Sequence, residues 1–324
     1  MYEREISKIL TQCIKLAVNQ YNTPDGVITP PDGYTQIASF KVFEILNHSH
    51  REAELEVMDS KNMELKLLNS TTKGEQKIAV VEYKMEELEL LYSTDWNCEL
   101  QSNFLFSKEA YIGFALTSEK NNIIAFRGTH SFSEWMHDAF IALNHYSSDS
   151  TQGKIHRGFQ SLYSGRSIFG ETLSQQIRHT SEIFDDPSKP CYITGHSLGG
   201  ALAVLAATDI ALINNLKDLR MYNYGGPRVG NPTFASFYNK LIPCSYRVVN
   251  SVDKVPQLPS NYLTEKYKHV GQEWTYLWET NNIKTNHYLD YRGFNYLPAV
   301  KAECENEHEK PNSSMYPPCA FKKE

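Results

Sequence analysis

The chain has 324 residues, of which 41% are hydrophobic, 12% aromatic and 22% charged, a profile of a folded chain long enough to bury a core without disulfide or metal support. Lys+Arg 32 against Asp+Glu 38 leaves a net charge of −6, so no basic field is present to hold nucleic acid or an anionic membrane surface. The same composition excludes collagen, coiled coil and wholesale disorder.

The six cysteines, Cys13, Cys98, Cys191, Cys244, Cys304 and Cys319, include no Cys-x-x-Cys pair, which argues against a zinc ribbon or a thioredoxin site. Cys191 and Cys244 flank apolar strand-like runs and read as small core residues. Cys304 and Cys319 would close a loop only in an oxidising compartment. The opening Met1-Tyr2-Glu3-Arg4-Glu5 is too charged for a signal peptide, and the longest apolar stretch, 201–213, is interrupted by Asp209. No transmembrane segment is expected, and the cytoplasm is the expected compartment.

In chain order, Ile6, Ile9, Leu10, Cys13, Ile14, Leu16 and Ala17 fall at helical spacing and predict an amphipathic first helix, ended by the turn-rich stretch 23–33. A β-segment follows over 35–45. Residues 44–90 hold 11 acidic and 6 basic residues and so carry −5 of the −6. Within them Ala53, Leu55 and Val57, then Met63, Leu65 and Leu67, alternate with polar residues, the pattern of a half-exposed hairpin. Residues 77–83 predict a third strand and 85–92 a short helix. This acidic, β-rich insertion reads either as a charged sheet extension that resists edge pairing or as a docking surface for a protein partner whose identity is unknown.

Beyond Cys98 the pattern alternates between strand and helix. Strands are expected at 111–116, 122–126, 191–194, 220–224, 246–250 and 268–278. Helices are expected over most of 159–183 and at 198–213 and 234–240. Such alternation argues for an α/β domain around a mostly parallel sheet. No linker interrupts it, so 1–324 is expected to form one domain, with 44–90 inserted and 301–324 a polar tail.

The chemistry centres on Gly195-His196-Ser197-Leu198-Gly199, a Gly-x-Ser-x-Gly with an apolar strand before it and an Ala/Leu-rich helix after it. A serine on that sharp turn exposes its hydroxyl, and the helix N-terminus offers partial positive charge where an oxyanion forms. His196 adjoins Ser197, but neighbouring residues on a tight turn point apart, so it reads as a packing residue that supports the turn. The acid and base of an α/β-hydrolase follow the serine in that order. Asp253, 56 residues beyond Ser197 and just past the strand 246–250, lies where the active edge of a parallel sheet is expected. His287, in a loop after the last strand, is the expected base and His269 the alternative; His308 falls in the charged tail.

These residues, together with Ile124-Ala125-Phe126-Arg127-Gly128-Thr129, His156-x-Gly158-Phe159, the segment 224–231, the segment 250–256 and His287-Tyr288, resemble the class 3, or fungal-type, lipases over about 111–293. The resemblance implies an α/β-hydrolase fold, a mostly parallel central sheet flanked by helices, and triad roles for Ser197, Asp253 and His287. It further implies an oxyanion hole from Thr129 and the Leu198 N–H. A lid over 130–142 is also implied, with Phe132, Trp135, Met136, Phe140 and Ile141 as its apolar face. Hydrolysis would need no metal or organic cofactor. Acylglycerols are the first substrate class; phospholipids cleaved at the first acyl position and galactolipids are rivals, with feruloyl and acetyl esters behind. Lipid ester and transient lipid-surface contact through the lid are the expected partners. A lipase-like protein-interaction module without catalysis is the reading of a different class.

Overall fold

A computed structural model describes residues 2–46, 66–73, 76–82, 104–128, 142–165, 170–213, 216–260, 267–277, 286–289 and 296. Nine described strands form one sheet. Its parallel part runs β5 (Asn122–Phe126), β8 (Cys191–His196), β9 (Leu219–Tyr224), β10 (Ser245–Asn250) and β11 (Gln272–Tyr276). The antiparallel part is built on the long β4 (Phe104–Thr117). One edge of β4 pairs with β1 (Thr35–Leu46). The other pairs with β5 over Gly113–Thr117 and with β3 (Gln76–Glu82) over Phe104–Lys108, and β3 pairs with β2 (Lys66–Lys73). A separate two-stranded ribbon joins β6 (Leu143–His145) to β7 (Lys154–His156).

Helices cover the sheet on two faces. On one, α1 (Arg4–Gln20) turns Ile6, Leu10, Cys13, Ile14 and Ala17 inward, the stripe its spacing predicts. Each fully buried Leu or Ile there is worth roughly 1.5–3 kcal/mol. On the other lie α2 (Arg157–Ser164), α3 (Leu173–Glu182), α4 (Leu198–Ile213) and α5 (Pro232–Leu241). Helix α4 is buried continuously from Leu198 to Ile210, because it lies between the sheet and the outer helices. This accounts for its Ala/Leu composition, which would be out of place on a surface helix. Strands β5, β8 and β10 are buried at every position, as strands covered on both faces must be.

Several expectations are adjusted. The helical region expected over 159–183 is two helices. Gly165 leaves α2 in an extended conformation, and a capping box between Thr172 and Gln175 starts α3 afresh. The last strand is shorter than 268–278: Gly271, at φ +75°, turns the chain just before Gln272. Cys191 is a core residue, whereas Cys244 is only half-buried, in the turn entering β10. Asp209, the polar break in the apolar stretch, is buried in α4. It accepts hydrogen bonds from Tyr163 Oη at 3.1 Å, Ser174 Oγ at 2.6 Å and Arg178 Nε at 3.0 Å. One carboxylate thereby ties α2 and α3 to α4, and every one of its donors sits on a neighbouring helix. The expected hairpin over 53–67, helix at 85–92 and tail 301–324 lie outside the described residues, apart from Lys66 and Leu67 on β2. Among the described residues, no helix is long and apolar enough to cross a membrane.

Candidate active site

Ser197 occupies the single residue between β8 and α4 and has φ +58°. A non-glycine residue in that region costs about 1–3 kcal/mol, so the surroundings must enforce it. They do so by excluding side chains on either side. A Cβ on Gly195 would lie 2.1 Å from the Gly199 carbonyl oxygen, and one on Gly199 would lie 2.4 Å from that of Arg127. The strand and helix therefore approach as closely as the turn requires only because both positions are glycine. Leu198 opens α4, so its N–H is among the first-turn groups without an intrahelical acceptor.

Asp253 follows β10 and is buried, with its carboxylate held from both sides. Oδ1 accepts the Val255 N–H at 2.9 Å, and Oδ2 accepts His287 Nδ1–H at 2.7 Å. The loop that carries Asp253 is anchored by Arg228, whose guanidinium donates to the carbonyls of Gln257 and Pro259. His287 in turn is fixed through its predecessor: Asn250 Nδ2, at the end of β10, donates to the Asn286 carbonyl at 3.1 Å. With Nδ1–H committed to Asp253, the ring's Nε2 is the acceptor, and it meets Ser197 Oγ at 2.8 Å. The structure thus brings together three residues separated by 56 and 34 positions in the chain.

His269, the alternative base, is elsewhere. Its Nε2–H donates to the Pro256 carbonyl at 2.6 Å, and burial first, then the Arg247 charge, pushes its pKa down to about 3. It is a buried neutral strut. His156, from the His-x-Gly-Phe motif, is another: Nδ1 caps α2 by accepting the N–H groups of Gly158 and Phe159, and burial lowers its pKa to about 4. His196 is also buried. Its ring stacks on that of His287, with centroids 4.7 Å apart, and its Nε2–H donates to the His287 carbonyl at 2.7 Å.

Tyr296 was not among the candidate residues. Its phenol donates to Asp253 Oδ2 at 2.6 Å and accepts the Asn250 N–H at 3.1 Å. Burial, followed by the Asp253 charge, raises its pKa well above the usual phenol value, so it remains a donor. Only Gly225 leaves room for this contact, since a Cβ there would fall 2.8 Å from the Tyr296 oxygen and 3.0 Å from Asp253 Oδ2. No motif marks Tyr296 in the sequence. The glycine pair 225–226 was the available signal that something approaches closely at that point.

Thr129, expected in the oxyanion hole, lies outside the described residues, as do the lid residues Phe132, Trp135, Met136 and Phe140. Gly128, immediately before Thr129, packs against the nucleophile: a Cβ there would meet Ser197 Cβ at 3.0 Å and the His196 carbonyl at 2.9 Å. The arrangement has the parts for acyl transfer, namely a hydroxyl on an imidazole, an imidazole on a buried carboxylate and the Leu198 N–H at a helix start.

Comparison with known proteins bears on the same region. The family model described as Lipase (class 3) matches residues 123–263. A chloroplastic protein from Arabidopsis thaliana, Phospholipase A1-Igamma3, is 30% identical over 203 residues, covering 55% of this chain and 38% of its own. A lipase from Rhizomucor miehei is 34% identical over 170 residues, covering 51% of this chain and 43% of its own. The chain therefore spans about two fifths of the length of these curated relatives. Among solved structures, the Rhizomucor miehei lipase propeptide complex aligns with 92% of this chain and 83% of its own at 22% identity, a loose overlay with a TM-score of 0.48. The elbow at Ser197, the strand that leads into it and the carboxylate after β10 all fall within the stretch the family model matches, and over that stretch the chain is similar to the class 3 lipases.

Proposed function

We propose that this chain hydrolyses carboxylic esters of lipids through an acyl-enzyme on Ser197. The observation that carries the reading is the His287 ring, which bridges Ser197 Oγ and the buried Asp253 carboxylate at 2.8 and 2.7 Å. In the first half-reaction Ser197 Oγ attacks the ester carbonyl while its proton passes to His287 Nε2. Asp253 holds the tautomer and stabilises the imidazolium, which then protonates the departing alkoxide. Water, deprotonated by His287, attacks the acyl-enzyme, and the proton returns to Ser197 Oγ as the acid leaves. The oxyanion of each tetrahedral intermediate is assigned to the N–H groups of Leu198 and Thr129.

Acylglycerols are the proposed substrates. The second reading, cleavage of phospholipids at the first acyl position, is favoured by the phospholipase A1 name carried by a relative 30% identical over 203 residues. Segment 130–142 is assigned to lid contact with the lipid surface through Phe132, Trp135, Met136 and Phe140. The cytoplasm fits the three described free thiols, Cys13, Cys191 and Cys244. Fluorophosphonate labelling of the purified chain, with Ser197→Ala as control, tests the core of the proposal. Stoichiometric labelling that the substitution abolishes is expected. A chain that takes no label, or labels elsewhere, would instead be the non-catalytic interaction module.

A further inference from the structure

Two contacts of the histidine inside the elbow motif are with the proposed base. His196 is the last residue of β8. One face of its ring lies under the His287 imidazole at 4.7 Å between centroids and 27° between planes, while Nε2 reaches the carbonyl oxygen of the same residue at 2.7 Å. A carbonyl accepts only, so Nε2 of His196 carries the proton and the tautomer is settled by geometry. The edge of Tyr296 closes the third side, with centroids 5.5 Å apart, and the Tyr296 phenol goes on to Asp253.

We propose that His196 is a positioning residue for the base: its N–H fixes the His287 backbone and its ring fixes the plane in which the His287 imidazole swings between Ser197 and Asp253. The inference rests on the hydrolase reading above. His287 lies in the described segment 286–289, which reaches the site from 90 positions beyond Ser197. In-plane bonds to Ser197 and Asp253 set where its two nitrogens point, but they leave the ring free to tilt about the line joining them. A second ring stacked beneath removes that freedom, and a bond to the main-chain carbonyl removes the translation of the backbone. Burial, then the neighbouring His287, holds the His196 pKa well below its ordinary value. The lower ring thus stays neutral and offers a π-face to the imidazolium formed above it.

The test separates positioning from packing by expressing rates per titrated site. His196→Phe keeps a ring and loses the donor; His196→Gln places an amide N–H near the position of Nε2 and loses the ring. Both are assayed on a water-soluble short-chain ester below its solubility limit, with active sites counted by fluorophosphonate. His196→Phe is expected to lower kcat per site roughly 10- to 100-fold, as small misplacements of catalytic groups do, with KM within about twofold. His196→Gln should recover part of the loss. If kcat per titrated site is unchanged within about twofold in the variants that fold, His196 merely packs and the proposal fails. Should His196→Phe not fold, the His196→Gln value decides alone. A wild-type chain that takes no label would overturn the hydrolase reading itself, an outcome distinct from either variant result.

Discussion

Ser197 Oγ meets His287 and His287 meets Asp253, so in the proposed mechanism removing any one member disables the others. Ser197→Ala and His287→Ala are expected to lower turnover of a p-nitrophenyl ester by about 10⁴–10⁶-fold, and Asp253→Asn by about 10⁴-fold through the wrong imidazole tautomer. Near-normal turnover by either alanine variant would remove the residue from the mechanism. Tyr296 supplies a quieter effect. The Tyr296→Phe ring still fits against His196 and Tyr276, yet Asp253 Oδ2 loses a 2.6 Å donor. A hydrogen bond to a charged group is worth about 1.5–3 kcal/mol, so kcat should fall by roughly 10- to 150-fold with KM unmoved. An unchanged kcat would mean that Val255 N–H and His287 alone hold the carboxylate.

At the scale of the element, the elbow is a strand and a helix pressed together at positions where only glycine fits. Gly199→Ala is the sharpest probe, because its Cβ would meet two main-chain oxygens, those of Arg127 at 2.4 Å and Phe126 at 2.6 Å. Main chain buried in β5 cannot step aside as a flexible side chain does. The variant should therefore lose fluorophosphonate reactivity even in the fraction that remains soluble. Retained labelling at the wild-type rate would show that β5 and α4 have slack the described geometry lacks. The antiparallel extension is a different kind of element. Among the described residues β2 pairs with β3 and β3 with β4, and neither carries an assembled site residue, so the site is positioned by β5, β8 and β10.

Across the whole molecule, buried neutral histidines couple stability to pH. His156 and His269 have pKa values of about 4 and about 3 in the folded chain, and that of His196 is also lowered, against about 6.5 when unfolded. The unfolded chain binds more protons than the folded one below pH 6.5, so stability rises with pH through this window and is lost as pH falls. Each histidine contributes at most about 1.4 kcal/mol per pH unit. Urea unfolding should show a marked loss between pH 6.5 and 5, above the range where carboxylates titrate. A flat profile there would mean that these histidines are protonated in place. If 130–142 exchanges burial over the site for burial in lipid, turnover should rise disproportionately once substrate forms an emulsion, since only differential burial shifts the equilibrium. Trp135→Ala should reduce that rise more than it reduces monomer hydrolysis. Smooth saturation through the solubility limit would identify an ordinary esterase.

The parts whose signal is local were legible in the amino-acid order alone. Helices α1 and α4 and strand β5 follow from periodicity or an apolar run between turn residues, and Ser197 follows from glycines two positions away on either side. Asp253 and His287 were legible because a parallel sheet presents its chemistry at one edge, so that a carboxylate just past a strand is already placed. The tertiary structure decided whatever depends on a partner distant in the chain. Which of His269 and His287 meets Ser197 turned on contacts between remote segments: His287 reaches Ser197 Oγ, while His269 lies against the Pro256 carbonyl. That His196 faces the base, and not only the elbow it belongs to, turned on the carbonyl of a residue 91 positions later. The Tyr296 bond to Asp253 needs a cleft opened by Gly225, and the burial of Asp209 needs donors from two other helices. A hydrogen bond between remote residues leaves no periodic trace in either segment, so only the packing that joins them reveals it.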